Sequence, residues 1–214
     1  MHSPLVVIGA GGFGREALDI VDAINAHSDQ DVFETLGVID DNPSPINLKR
    51  LHDRGVRHLG GLRNWLAVDQ SANYVIAVGN PIVRRNLENV VALSDMRPVS
   101  LIHPTVNIGS QVKIGLGSIL CSGAQISTNV RIGDHVHINP AAIIGHDTQI
   151  ADFVSVNPGA VVSGEVVVGE ASLLGANSTV LQGLRIELES TIGAGAVVVR
   201  AVPPGTIVKG VPAR

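Results

Sequence analysis

Between residues 102 and 198 an aliphatic side chain recurs at every sixth position without a break. The series runs Ile102, Ile108, Ile114, Leu120, Ile126, Ile132, Ile138, Ile144, Ile150, Val156, Val162, Val168, Leu174, Val180, Ile186, Ile192 and Val198, seventeen positions in all. The next residue is often glycine (Gly109, Gly115, Gly133, Gly145, Gly169, Gly175, Gly193). The fourth residue after is mostly small or β-branched, as at Ser118, Ala124, Val130, Ala160 and Ser172. A sandwich of amphipathic strands would alternate with period two and space its turns irregularly. A period of six predicts a parallel β-helix instead, in which each short strand sends one aliphatic side chain inward and a tight turn follows. Three hexads close one triangular coil of eighteen residues, which stacks residue i on residue i + 18 at roughly 4.8 Å.

The first hundred residues follow a different pattern. Leu5 to Ile8 is an apolar run that ends in Gly9-Ala10-Gly11-Gly12-Phe13-Gly14, and Ala17, Leu18, Val21 and Ile24 then mark the buried face of a helix. Strand, glycine turn and helix in that order bring backbone N–H groups and a helix N-terminus to a phosphate. A second strand, Thr35 to Ile39, ends at Asp40-Asp41, and a proline-marked loop at Pro43 and Pro45 follows. A third, Tyr74 to Val78, ends at Gly79-Asn80, and Pro81 opens a helix running to about Leu93. In an open parallel sheet such strand ends share one edge, where ligands bind. Three strands make half of a dinucleotide-binding sheet, and Asp40 follows Gly9 by 31 residues rather than about twenty. Residues 1–100 are therefore expected to form an α/β half-Rossmann domain for a single nucleotide or nucleotide-sugar, and residues 101–214 an all-β parallel β-helix.

Charge sharpens this division. Residues 1–100 carry nine Lys/Arg and twelve Asp/Glu, residues 101–214 only six and seven. The net charge of −4 leaves no basic footprint for nucleic acid. No apolar run approaches the roughly 18 residues of a membrane span, and the start of the chain lacks the regions of a signal peptide. A single cysteine, Cys121, cannot form an internal disulfide, so a cytoplasmic protein is expected, with Cys121 a small packed residue.

Four of the eight histidines lie in the second half: His103, His135, His137 and His146. His146 falls two residues after an inward aliphatic, at a turn facing outward, and Asp147 follows it. A neighbouring carboxylate can fix the imidazole tautomer and make the other ring nitrogen a better base. The coil repeat places Gly164 above His146, Glu165 above Asp147 and Asn157 above Asn139.

These features resemble the left-handed β-helix acyltransferases, in the branch with a small nucleotide-binding domain in front. That branch contains sialic acid O-acetyltransferases and nucleotide-amino-sugar N-acetyltransferases. The matching stretches are VVIGAGGFGREALDIV, GVIDDNP, VIAVGNPIVRR, INPAAIIGHDTQIADFVSVNPGAVVSGEVVVG and VKGVPAR. The resemblance supplies the left hand of the helix. It implies a homotrimer with acetyl-CoA bound in clefts between adjacent β-helices, His146 as general base, and Asp147 and Asn139 in support. Gly164 is implied as the backbone donor to the oxyanion, and Gly11, Gly12, Phe13, Asp40, Asp41 and Gly79 as holding the nucleotide-sugar. It also implies coenzyme contacts from Ala176 and from Lys209 in the closing loop, to which Arg214 belongs. Position 155, often histidine in this branch, is Ser155 here and is expected to touch the coenzyme as a hydroxyl.

The expected activity is acetyl-CoA-dependent N-acetylation of a nucleotide-linked deoxyamino sugar in glycan precursor synthesis. O-acetylation of a sugar such as sialic acid, a non-catalytic trimeric scaffold and a nicotinamide-dependent reductase are the competing readings. A zinc site at His135, His137 and His146 is a further alternative. Their intervals of two and nine residues do not match the close pair expected by resemblance to β-helical carbonic anhydrases, and no metal is expected.

Overall fold

The computed structural model describes residues 3–68 and 71–214. Its first part is a parallel sheet of β1 (Ser3–Ile8), β2 (Phe33–Ile39), β3 (Asn73–Ile76) and β4 (Arg97–Pro98), in the order β2-β1-β3-β4. From β1 the chain passes to β2 on one side and returns to β3 on the other. The order therefore reverses at β1, which opens a crevice at the carboxyl ends of the strands. The helices are α1 (Gly12–Ala26), α2 (Pro45–Asp53), α3 (Leu62–Leu66) and α4 (Pro81–Val91).

Two local expectations need correction. The Pro43–Pro45 stretch is not simply a loop: Ser44 accepts a hydrogen bond from Asn47 N at 3.4 Å and Pro45 opens α2. Serine before proline is a cap followed by a residue with no N–H to satisfy, which starts a helix. The third strand ends at Ile76 rather than Val78, because the Val78 and Gly79 carbonyls turn to the guanidinium of Arg84.

From Leu101 the chain forms an all-parallel β-solenoid of two-residue strands in three walls. One wall has seven strands, from Leu101–Ile102 through His137–Ile138 to Ile207–Val208. A second has six, from Asn107–Ile108 to Val197–Val198, and a third has five, from Lys113–Ile114 to Arg185–Ile186. The register is eighteen residues (His137 pairs with Ser155, Ile144 with Val162), shortening to sixteen where Thr191 pairs with Ile207. From Leu120 to Val198 the inward aliphatics are buried in one continuous core with Ala124, Val136, Ala142 and Val154.

Turn geometry explains the hexad. The third residue after each inward aliphatic, from Gln111 to Gly195, lies in the left-handed region, Asn129 (φ 65°) and Asp147 (φ 59°) among them. Glycine, Asn and Asp accept that conformation most readily. His135 and Ala171 adopt it too, at a local cost set against their burial, as does the half-buried Phe153.

The α/β domain covers the first four strands of the seven-strand wall. Leu101, Ile119, His137 and Ser155 point out of the solenoid, yet each is at most 1% exposed beneath that domain. Leu101, Ile119 and Cys121 pack with Ala17, Leu18 and Val21 of α1. Burial pushes the Cys121 thiol up to about 12, with Glu16 adding to the shift, which suits an inert packing group.

Candidate active site

At the corner between the six-strand and five-strand walls, His146 is an exposed side chain whose Nδ1 lies 2.8 Å from Asp147 Oδ2. The other oxygen, Asp147 Oδ1, accepts from Asn129 Nδ2 at 2.8 Å. Asn129 occupies the same turn position one coil earlier, so ladder register alone brings it there. Hydrogen bonds from Asn129 and then His146 hold the Asp147 carboxyl below its usual range. An ionised Asp147 fixes the proton of His146 on Nδ1 and leaves the Nε2 lone pair free.

Gly164 lies one coil above, as the repeat predicts. A Cβ there would fall 2.5 Å from His146 Nε2 and 2.6 Å from Cε1, so the imidazole lies against bare backbone. The flanking N–H groups are used, Ser163 to Val180 O and Glu165 to His146 O. Among the described residues the Gly164 N–H makes no hydrogen bond. Imidazole lone pair and free N–H together are the parts an acyl transfer needs, a base and an oxyanion donor.

Asn139 is not beside His146 in the chain. It occupies the preceding corner, buried, and donates to Val156 O at 3.0 Å and toward Asn157 Oδ1 at 3.5 Å. The same corner carries Ala176 and, above Gly193, Lys209, whose backbone exchanges two hydrogen bonds with Arg214. The residues expected to meet the coenzyme thus share the Asn139 corner, and the expected base lies across the six-strand wall from them.

Ser155 is the exception. Its hydroxyl donates to Gly79 O at 3.0 Å and accepts from Arg84 Nη2 at 3.0 Å, beneath the α/β domain. Expected as a coenzyme contact, Ser155 is buried in the domain junction with its hydroxyl engaged. His135 lies at the third corner, stacked on Phe153 at 5.3 Å, and His137 lies on the covered wall. The three histidines of the zinc alternative are therefore spread over different parts of the coil.

The carboxyl ends of the sheet hold the second group. A cavity of about 300 Å³ is lined by Gly9, Asp40, Asp41, Leu62, Val78 and Val83 among others. Gly14 cannot carry a side chain, since a Cβ would fall 1.8 Å from Gly9 O. At Gly11 and Gly12 a Cβ would meet nothing within 4 Å, leaving the turn open to a ligand. Asp40 shapes that turn, accepting from Ala10 N at 2.8 Å and Asn42 N at 2.9 Å. Asp41 accepts from Leu62 N at 2.8 Å, at the start of α3. Phe13 faces inward, its ring 4.5 Å from that of His137. Sequence reasoning missed Asn129 and Arg84. The eighteen-residue rule that put Gly164 above His146 also puts Asn129 below Asp147.

The fold is an all-parallel β-solenoid preceded by a small α/β domain built on a parallel sheet. Residues 4–91 match the PglD N-terminal domain. Among the solved structures similar to the whole chain are two acetyltransferases. One is a variant of perosamine N-acetyltransferase from Caulobacter crescentus in complex with CoA and GDP-perosamine (25% identity, TM-score 0.87, 99% of this chain and 96% of that one). The other is the acetyltransferase domain of PglB from Neisseria gonorrhoeae FA1090 (28% identity, TM-score 0.86, 100% and 99%). A curated relative, 2,3,4,5-tetrahydropyridine-2,6-dicarboxylate N-acetyltransferase of Alkaliphilus metalliredigens, is 50% identical over 42 residues. That match spans 20% of this chain and 18% of the relative's length. No helix among the described residues is long and apolar enough to cross a membrane.

Proposed function

We propose that the protein is an acetyl-CoA-dependent N-acetyltransferase acting on the amino group of a nucleotide-linked deoxyamino sugar. The observation that carries this reading is the Asn129–Asp147–His146 chain, with its imidazole against the side-chain-free face of Gly164, whose N–H makes no hydrogen bond among the described residues. The acceptor amine attacks the thioester carbonyl carbon and a C–N bond forms. His146 Nε2 takes the amine proton, and the Gly164 N–H stabilises the oxyanion. Collapse breaks the C–S bond, and the protonated imidazole returns its proton to sulfur, releasing CoA. Both substrates react in one complex without an acyl-enzyme.

The reading includes a homotrimer. His146 lies at the corner opposite the covered wall, so a sugar held at Gly11, Gly12 and Gly79 points away from its own chain's base. The six-strand wall between the Asn139 and His146 corners has an uncharged outer row, Asn107, Gln125, Ile143, Val161, Thr179 and Val197. Packing such walls around a threefold axis sets the Asn139 corner of one copy, with Ala176 and Lys209, beside the His146 corner of the next.

The test is release of CoA from acetyl-CoA with UDP-, dTDP- and GDP-linked amino sugars. Acceptor-dependent release that falls at least about a hundredfold in His146→Ala is expected, the low end for loss of a general base. Turnover of free sialic acid alone, or release unaffected by the substitution, would overturn it.

A further inference from the structure

Helix α4 faces two ways. Val83 and Leu87 line the nucleotide cavity, while Arg84, Arg85 and Glu88 reach the solenoid. Arg84 is fully buried and none of its hydrogen-bond partners is a carboxylate. Its Nε donates to His135 O at 2.9 Å. Nη1 donates to Val78 O at 2.7 Å, His137 Nδ1 at 3.0 Å and, more weakly, Gly79 O at 3.4 Å. Nη2 donates to Phe153 O at 2.6 Å, Val154 O at 3.2 Å and Ser155 Oγ at 3.0 Å. Because His137 Nδ1 accepts from Arg84, its Nε2 carries the proton and donates to Ile76 O at 3.0 Å. One cation thereby joins the Val78–Gly79 segment that follows β3, of which Val78 lines the cavity, to two consecutive coils, the ones that carry Asn139 and Asn157.

A buried guanidinium without a counter-ion is a costly way to fill space. Burial pushes it down to about 9, which still leaves it protonated at neutral pH. A methionine would pack there without that cost, but could not hold two strand-end carbonyls and an imidazole in register. We propose that Arg84 is a positioning residue for the acceptor substrate: it fixes the Val78–Gly79 wall of the nucleotide site against the solenoid and so sets where the bound sugar is presented. The inference rests on the acetyltransferase reading above.

Steady-state kinetics and calorimetry of nucleoside diphosphate binding test it in Arg84→Met, Arg84→Lys and His137→Phe. In Arg84→Met the KM for the nucleotide-sugar is expected to rise about 20-fold with the KM for acetyl-CoA unchanged, as for a site that loses hydrogen bonds from a charged donor. Nucleoside diphosphate affinity falls in parallel. Arg84→Lys, which keeps the charge and one nitrogen, should recover part of the loss, and His137→Phe should move the acceptor KM the same way by less. A lower kcat at unchanged acceptor KM, or equal changes in both KM values, would reduce Arg84 to a structural residue. If Arg84→Met does not fold, the other two variants decide. If the wild type acetylates no amino sugar, the functional reading fails by itself, and unchanged nucleoside diphosphate affinity in the variants would then overturn the role of Arg84 separately.

Discussion

Asn129 and His146 hydrogen-bond the two oxygens of one carboxylate, Asp147, each at 2.8 Å. The Asp147 side chain is therefore pinned from below by an amide, and its second oxygen is aimed at Nδ1. Both anchoring turns use the left-handed conformation that the hexad imposes at that position. The orientation of the imidazole is thus a product of ladder register rather than of burial.

Asn129→Ala removes that pin and leaves His146 and Asp147 in place. The expected result is a fall in kcat of about tenfold with little change in either KM, smaller than for loss of the base itself. Initial rates of CoA release at saturating substrates measure it. A variant as active as wild type would show that Asp147 orients the ring unaided.

Gly164→Ala puts a methyl group 2.5 Å from where His146 Nε2 stands. The Gly164 backbone is outside the left-handed region, so alanine costs no backbone strain there. The ring must move instead. A kcat loss of about a hundredfold is expected, of the size that follows a 1 Å misplacement, with a melting temperature close to wild type. Thermal unfolding and initial rates measured on the same preparation separate the two effects.

How much of this was legible differs sharply between the two halves of the site. The solenoid was legible because its period is covalent arithmetic: an aliphatic every six residues and a coil every eighteen fix who stacks on whom, which placed Gly164 over His146. The same arithmetic could have found Asn129. Ser155 and Arg84 were hidden because their environment is set by domain docking. Position 155 is outward on the coil, and only the α/β domain buries it. Arg84 reads as a helix-surface residue beside Arg85, yet Arg85 pairs with Glu170 and Glu189 on the surface while Arg84 points into the junction. The helix at Pro45 was missed because two nearby prolines read as a loop, although Ser44-Pro45 is itself a helix-start signal.

The buried junction makes stability depend on pH. Burial, with Arg84 beside it, holds His137 well below the usual histidine value. The unfolded chain then binds a proton that the folded one does not between the depressed pKa and about 6.5. The stability from this group is present above about 6.5 and is lost as the pH falls below it, by up to about 1.4 kcal/mol per pH unit. Glu88, whose carboxyl is held low by His135 and Tyr74 against the opposing effect of burial, adds a further loss at more acid pH. Denaturant unfolding between pH 7 and 5 should show the first slope in the wild type and a shallower one in His137→Phe.

Asp40→Ala should act on the nucleotide turn and not on the transfer step. The carboxylate satisfies Ala10 N and Asn42 N, and removing it leaves the donor of the buried Ala10 unpaired. A destabilisation of about 1–3 kcal/mol is expected, together with weaker nucleoside diphosphate binding and unchanged affinity for CoA. Calorimetric titration with each ligand distinguishes this from general unfolding, which would weaken both.

The separation of the glycine turn from His146 yields a test of the shared site that needs no structure of the assembly. His146→Ala keeps an intact nucleotide site, and Gly12→Trp fills the open space above the turn while keeping an intact base. If one copy presents the sugar and the next supplies the imidazole, each variant alone is inactive, yet a mixed trimer contains working pairs. A given site works when its presenting copy is the first variant and its catalytic copy the second, which in a random equal mixture occurs at about one quarter of sites. Co-expression followed by a CoA-release assay should therefore recover about a quarter of wild-type activity. Recovery near zero, with both proteins folded and co-assembled, would mean that each chain works on its own sugar, and the corner-to-corner arrangement would have to be abandoned.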